Sequence, residues 1–150
     1  MSTDLHKSDD FLPSPSTSAL KTTDAFFDSV IGQSIGNFKI EKRLGAGAMA
    51  AIYRAVDRTT NQAVALKLLS ATADEILRTR FVMEARLVRT LQHPHIVQIL
   101  DAGQTEQGLL YIAMTLIEGE DLGTFLERRQ QLNVLDSCRI LQPIADALAH

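Results

Sequence analysis

The sequence predicts an α+β fold: a five-stranded antiparallel sheet with one helix packed on it, followed by two helices that open a second lobe. Three observations predict it. Residues 38–69 alternate short runs rich in β-branched and aromatic side chains with turn residues, the pattern of a meander rather than of βαβ units. Residues 73–91 then space their apolar side chains at helical intervals. Two more helical stretches close the chain at 122–130 and 135–150, the second carrying Ile140, Leu141, Ile144, Ala145 and Leu148 on one side.

In chain order, residues 1–33 read as a tail rich in Ser, Thr, Asp and Pro, with Phe11-Leu12 and Phe26-Phe27 as its apolar punctuation. Such a composition buries too little to offset the entropy of ordering, although the second pair has the makings of a docking point or a short helical turn. From residue 34 the character changes. Phe38, Ile40 and Leu44 alternate with Lys39, Glu41 and Arg43 in a first strand. Residues 51–56 and 63–69 supply the next two strands, joined by a turn at 57–62. A fourth is expected at 96–100 and a fifth, largely apolar, at 109–117. Asp136 or Ser137 is the expected cap of the last helix, and Pro143 falls within it.

Chemistry concentrates between residues 44 and 67. Gly45 and Gly47 stand in a loop of small residues, Leu44-Gly45-Ala46-Gly47-Ala48-Met49-Ala50. Without Cβ atoms such a backbone admits an anion to its N–H groups. A dinucleotide-binding turn would feed a helix; this loop feeds a strand, and the strand after that carries a single cation, Lys67, in an otherwise apolar run. On the helix, Leu77, Phe81, Val88 and Leu91 form an apolar stripe into which Glu84 falls. Read from spacing alone, Glu84 either meets a cation, with Lys67 the candidate, or lies at the stripe's edge and reaches water. The pair His93 and His95 supplies two of the ligands a metal would need and no more.

The loop followed by Val64-Ala65-Leu66-Lys67 resembles the ATP-binding half of a protein kinase, with its glycine-rich loop and strand-three lysine, and the overall likeness is to bacterial serine/threonine kinases. The resemblance covers about residues 37–150. It implies that Lys67 and Glu84 form the ion pair that places the lysine on the α- and β-phosphates, and that residues 44–50 and Ile52 cradle the nucleotide beside Ala65. It also implies that Met114 is the gatekeeper, that Thr115 and Ile117 present backbone C=O and N–H to adenine, and that Asp121 faces the ribose. His93-Pro94-His95-Ile96 resembles the H-P-N-I stretch of the family. Two departures stand out: Ala50 replaces the third glycine, and Thr115 replaces a frequent acidic residue.

The catalytic H-R-D loop and the D-F-G metal segment of that family are absent from the sequence. Residues 34–117 are therefore expected to form a small lobe and residues 118–150 the entry to a large one. ATP is the expected cofactor, with Mg²⁺ expected only where the large lobe is present. The expected activity, transfer of the ATP γ-phosphoryl group to a Ser or Thr of a protein substrate, needs that lobe; the chain alone is expected to be inactive. The alternatives are a non-catalytic kinase-like module that binds nucleotide or a partner, and an inactive truncated product. A net charge of −3 gives no case for nucleic acid. One cysteine, Cys138, fits a reducing compartment. No run is long enough for a membrane span, so a cytoplasmic location is expected, with an anchor beyond residue 150 left open.

Overall fold

A computed structural model describes residues 24–150; residues 1–23 of the expected tail, with Phe11 and Leu12, lie outside them. Residues 24–29 are helical (α1). The chain then runs β1 (Ser34–Ile35), β2 (Phe38–Ala46), β3 (Ala50–Asp57), β4 (Ala63–Leu69), α2 (Glu75–Thr90), β5 (Ile99–Gln104), β6 (Leu110–Thr115), α3 (Leu122–Arg129) and α4 (Val134–Ala149). The strands form one antiparallel sheet in the order β1-β2-β3-β4-β6-β5. These are the five expected strands plus the two-residue β1 at one edge. The helix α2 is the connection that carries the chain past the β6 position, leaving β5 at the other edge.

Local chemistry sets the element ends. At the β3–β4 turn the Thr59 N–H and the Thr60 hydroxyl donate to the two oxygens of Asp57, at 2.8 and 3.0 Å, and Asn61 takes the left-handed conformation (φ 57°) that asparagine tolerates. The Thr59 N–H, above all, holds the Asp57 carboxyl below its ordinary range. Asp74 caps α2, accepting from the Leu77 N–H at 2.8 Å. The cap of α4 is neither Asp136 nor Ser137 but Asn133, whose Oδ1 accepts from the Asp136 N–H at 2.8 Å while its Nδ2 donates to Asp136 Oδ2 at 2.9 Å. The helix thus starts early enough that both expected caps lie in its first turn. The fourth strand also starts later than expected, at Ile99 rather than 96. The Ile96 N–H is used in a turn onto the His93 carbonyl (3.1 Å), and the ladder to β6 opens only with Ile99 opposite Met114.

Each face of the sheet has its own core. On one face Tyr53, Leu66, Leu68, Ile40 and Phe38 pack with Phe27 and Val30. On the other, Leu69, Leu110 and Ile112 pack beneath Phe81 and Ala85 of α2. Residues 24–33 therefore do not belong with a solvated tail. Phe27 is fully buried, its carbonyl accepts the Tyr53 hydroxyl at 2.8 Å, and Arg43 of β2 is within 3.2 and 3.3 Å of Asp24 and Asp28. The polar residues around Phe26-Phe27 mask a segment that has a sheet face to cover. By contrast α3 and α4 bury no residue: Leu135, Leu141 and Leu148 are 61%, 59% and 84% exposed.

Candidate functional site

Lys67 sits mid-way along β4, opposite Ile52 of β3 and Ile112 of β6. Residues directly opposite in an antiparallel ladder share a face, so Lys67 emerges on the side that α2 covers. Its Nζ lies 2.6 and 2.8 Å from the two carboxylate oxygens of Glu84 and 5.6 Å from the centre of the Phe81 ring. Phe81 precedes Glu84 by one helical turn, so a single helix supplies both the anion and an aromatic wall for the cation. The sequence left two readings of Glu84, and the geometry satisfies both. It meets Lys67, and its side chain is still 51% exposed. An ion pair this open adds at most about 1 kcal/mol to stability. Its effect is to fix where the lysine points. In the sequence Phe81 stands out only as part of the apolar stripe; its position three residues before Glu84 is the available signal.

The glycine loop closes the β2–β3 turn, where the Gly47 N–H donates to the Ala50 carbonyl at 2.8 Å. Neither Gly45 nor Gly47 is among the glycines with left-handed φ. A Cβ on Gly45 would meet nothing within 4 Å, and one on Gly47 only the Ala50 oxygen at 3.8 Å. The fold thus requires glycine at neither position. What both face is open space: Gly45, Gly47, Met49, Ala50 and Ile52 line, with Lys67, a shallow cleft of ≈ 530 Å³, within the usual size of small-molecule sites. Ala46 is in the same lining and Ala48 stands at the turn between β2 and β3. Leu44, half-exposed, precedes them on β2.

The remaining candidates lie along the same face or at its end. Ala65, two residues before Lys67, is opposite Met114, which is half-buried against the α2 core. Thr115 ends β6, in register with Val64 of β4, and its N–H is engaged, donating to the Gln98 carbonyl at 3.0 Å. Ile117, 72% exposed, follows beyond the strand. Asp121 caps α3, accepting from the Thr124 N–H at 3.0 Å and the Thr124 hydroxyl at 2.9 Å; the N–H bond, first, holds its carboxyl below the ordinary range. The site's residues are thus brought to one sheet face and its exit, with Asp121 already engaged in a helix cap. Both ring nitrogens of His93 have protein partners: its Nδ1 accepts from the His95 N–H and its Nε2 lies 3.2 Å from Asp146 of α4.

Comparison with known proteins places the chain as a whole in a family. The family model for protein tyrosine and serine/threonine kinases matches residues 38–150, and the chain belongs to that family. It is 38% identical over 127 residues to the serine/threonine-protein kinase PknE of Mycobacterium tuberculosis, covering 83% of this chain and 22% of PknE. It is 35% identical over 125 residues to the serine/threonine-protein kinase pkn3 of Myxococcus xanthus, covering 81% and 23%. Among solved structures, the PknI kinase domain of Mycobacterium tuberculosis aligns with a TM-score of 0.64 at 30% identity, over 78% of this chain and 49% of that one. The chain therefore spans under a quarter of these curated relatives and corresponds to the N-terminal portion of a kinase domain resembling serine/threonine kinases.

Proposed function

We infer that this chain is the ATP-holding part of a serine/threonine protein kinase. The observation that carries the reading is the pair of glycines that folding does not demand, facing a cleft that ends at an anchored lysine. Added methyls at Gly45 and Gly47 would project into that open space and shield the backbone N–H groups from an anion; their absence fits phosphate. ATP supplies the γ-phosphoryl group for transfer. The roles of this chain's own residues follow from charge and reach. Loop N–H groups of residues 45–50 other than that of Gly47, which the Ala50 carbonyl already holds, donate to phosphate oxygens, Lys67 places positive charge on them, and Glu84 keeps Lys67 aimed into the cleft. Leu44, Ile52, Ala65 and Met114 supply the apolar walls for a purine, and the Thr115 carbonyl and Ile117 N–H its edge contacts. Asp121 takes the ribose with the carboxylate lone pairs that Thr124 leaves free. Mg²⁺ and the residue that orients the acceptor hydroxyl enter with the H-R-D and D-F-G segments, which are not in this sequence, and the protein acceptor of the phosphoryl group binds with them.

Titration calorimetry of ATP into the 150-residue chain and its Lys67→Met variant tests the reading. Removing a charge-assisted contact of about 1.5–3 kcal/mol should weaken binding by roughly 10- to 100-fold. In any longer form that carries the catalytic segments, the same substitution should abolish phosphotransfer. A longer form that remains fully active with Lys67→Met would overturn the assignment.

A further inference from the structure

Strands β2 and β6 do not pair: β3 and β4 lie between them in the sheet. In a flat sheet, three spacings of about 4.8 Å would hold their side chains about 14 Å apart. Yet the rings of Phe38 on β2 and Tyr111 on β6 meet edge to face, with centroids 5.8 Å apart. The sheet is therefore rolled toward the face that α1 covers, and Tyr111 is where the roll closes. Two glycines leave room for it. A Cβ on Gly36, between β1 and β2, would stand 3.3 Å from the Tyr111 hydroxyl, and one on Gly103, directly opposite on β5, 2.8 Å. The hydroxyl donates to Asp101 Oδ2 at 3.1 Å, and Oδ1 of the same carboxylate accepts the Ala102 N–H at 2.9 Å. The ring is thus fixed from β5 and bears on β2.

We propose that Tyr111 is a positioning residue for the nucleotide: by closing the sheet it sets the separation between the glycine loop at the end of β2 and residues 114–117 at the end of β6. This role rests on reading the cleft as an ATP site. The two ends must hold one ligand, the loop its phosphates and residues 114–117 its purine, yet no ladder bond joins the strands that carry them. The twist between neighbouring strands varies over a range of about 25°, so three ladders in succession do not by themselves fix the angle between β2 and β6. The lever is long. Phe38 and Gly45 are seven residues apart (45 − 38) along β2, about 24 Å of strand. A tilt of about 5° at Phe38 displaces the loop by about 2 Å, whereas a useful N–H···O bond tolerates only about 0.5 Å. The contact at Tyr111 removes that freedom.

The test titrates ATP and adenosine into the 150-residue chain and its Tyr111→Leu variant by calorimetry. Adenosine needs only the purine contacts, so its affinity should change by less than about twofold while that of ATP falls at least about fivefold. Tyr111→Phe, which keeps the ring on Phe38, should recover most of the loss. A role in stability alone would weaken both ligands equally. Nitroxide labels at Lys42→Cys on β2 and Ile117→Cys, both exposed positions, read the separation without nucleotide once the exposed Cys138 is replaced by Cys138→Ser. Their distance distribution should shift or broaden in Tyr111→Leu. If Tyr111→Leu does not fold, Phe38→Leu removes the same contact from β2 and gives the same two readouts. No ATP binding by the parent chain would overturn the ATP reading and this role with it. ATP binding by the parent with equal losses for the two ligands in the variant, or with unchanged label distances, would overturn this role alone.

Discussion

Single side chains in this protein separate into those that hold the fold and those the fold leaves idle. Tyr53 is of the first kind. Its hydroxyl is buried and donates to the Phe27 carbonyl, and burial, chiefly, pushes its pKa up to about 12. Tyr53→Phe leaves that carbonyl without its partner and should cost about 1–2 kcal/mol at neutral pH, read from urea unfolding. The pH dependence has a definite sign. The unfolded tyrosine ionises near 10 and the folded one near 12, so the stabilisation is complete below pH 10 and is lost as pH rises from 10 through 12. The parent chain should lose more stability than Tyr53→Phe across that interval. Asp121 combines a cap with a proposed ribose contact. Asn is as good a cap as Asp, so Asp121→Asn should leave α3 intact by circular dichroism while weakening ATP binding in calorimetry. Equal affinity in the two proteins would remove Asp121 from the site. Lys67 and Glu84 were legible in the sequence because each is a charge set in an apolar pattern. The polar engagement of Asp121 was legible only in part, since Thr124 lies three residues on in a helix whose start the sequence placed but whose cap it did not assign.

Among the elements, the sheet was the most readable and the segment before it the least. Strands β2, β3 and β4 announce themselves by alternation and by the turn at 57–62. In residues 24–33 the pair Phe26-Phe27 hinted at a docking point or a helical turn, but the polar residues around it gave no sign of which surface it covers. Phe27 carries the packing. Phe27→Ala should destabilise the protein by about 3–5 kcal/mol and expose residues 24–33 to limited proteolysis; an unchanged denaturation midpoint would mean that α1 is an ornament on the sheet. The missed cap of α4 has a similar origin. Asn133 and Asp136 are both competent caps by type, and the choice rests on the reciprocal pair of bonds between them, which spacing alone does not rank.

At the scale of the whole molecule, stability is unevenly distributed. The sheet, α1 and α2 share the buried side chains, whereas α3 and α4 bury none, and α4 is tied to the rest through His93 and Asp146. Hydrogen exchange should therefore show α3 and α4 opening at about 0–2 kcal/mol while β3, β4 and β6 exchange only through larger unfolding events. Protection of α4 equal to that of β4 would mean that its apolar side is covered. That side was legible in advance from the spacing of Ile140, Leu141, Ile144 and Leu148; that the helix buries no residue is seen only in the structure.

The sheet order has a consequence for how the chain is made. β4 lies between β3 and β6, yet β6 emerges from the ribosome 46 residues after β4 ends (115 − 69), about 2–9 s later at about 5–20 residues per second. Throughout that interval Ala-Val-Ala-Leu-Lys-Leu-Leu is an open edge, the kind of strand that recruits a neighbouring chain unless a charge interrupts it. The only charge on it is Lys67. The side chain proposed to hold phosphate in the finished protein is thus also the one that guards the nascent sheet against pairing with its neighbours.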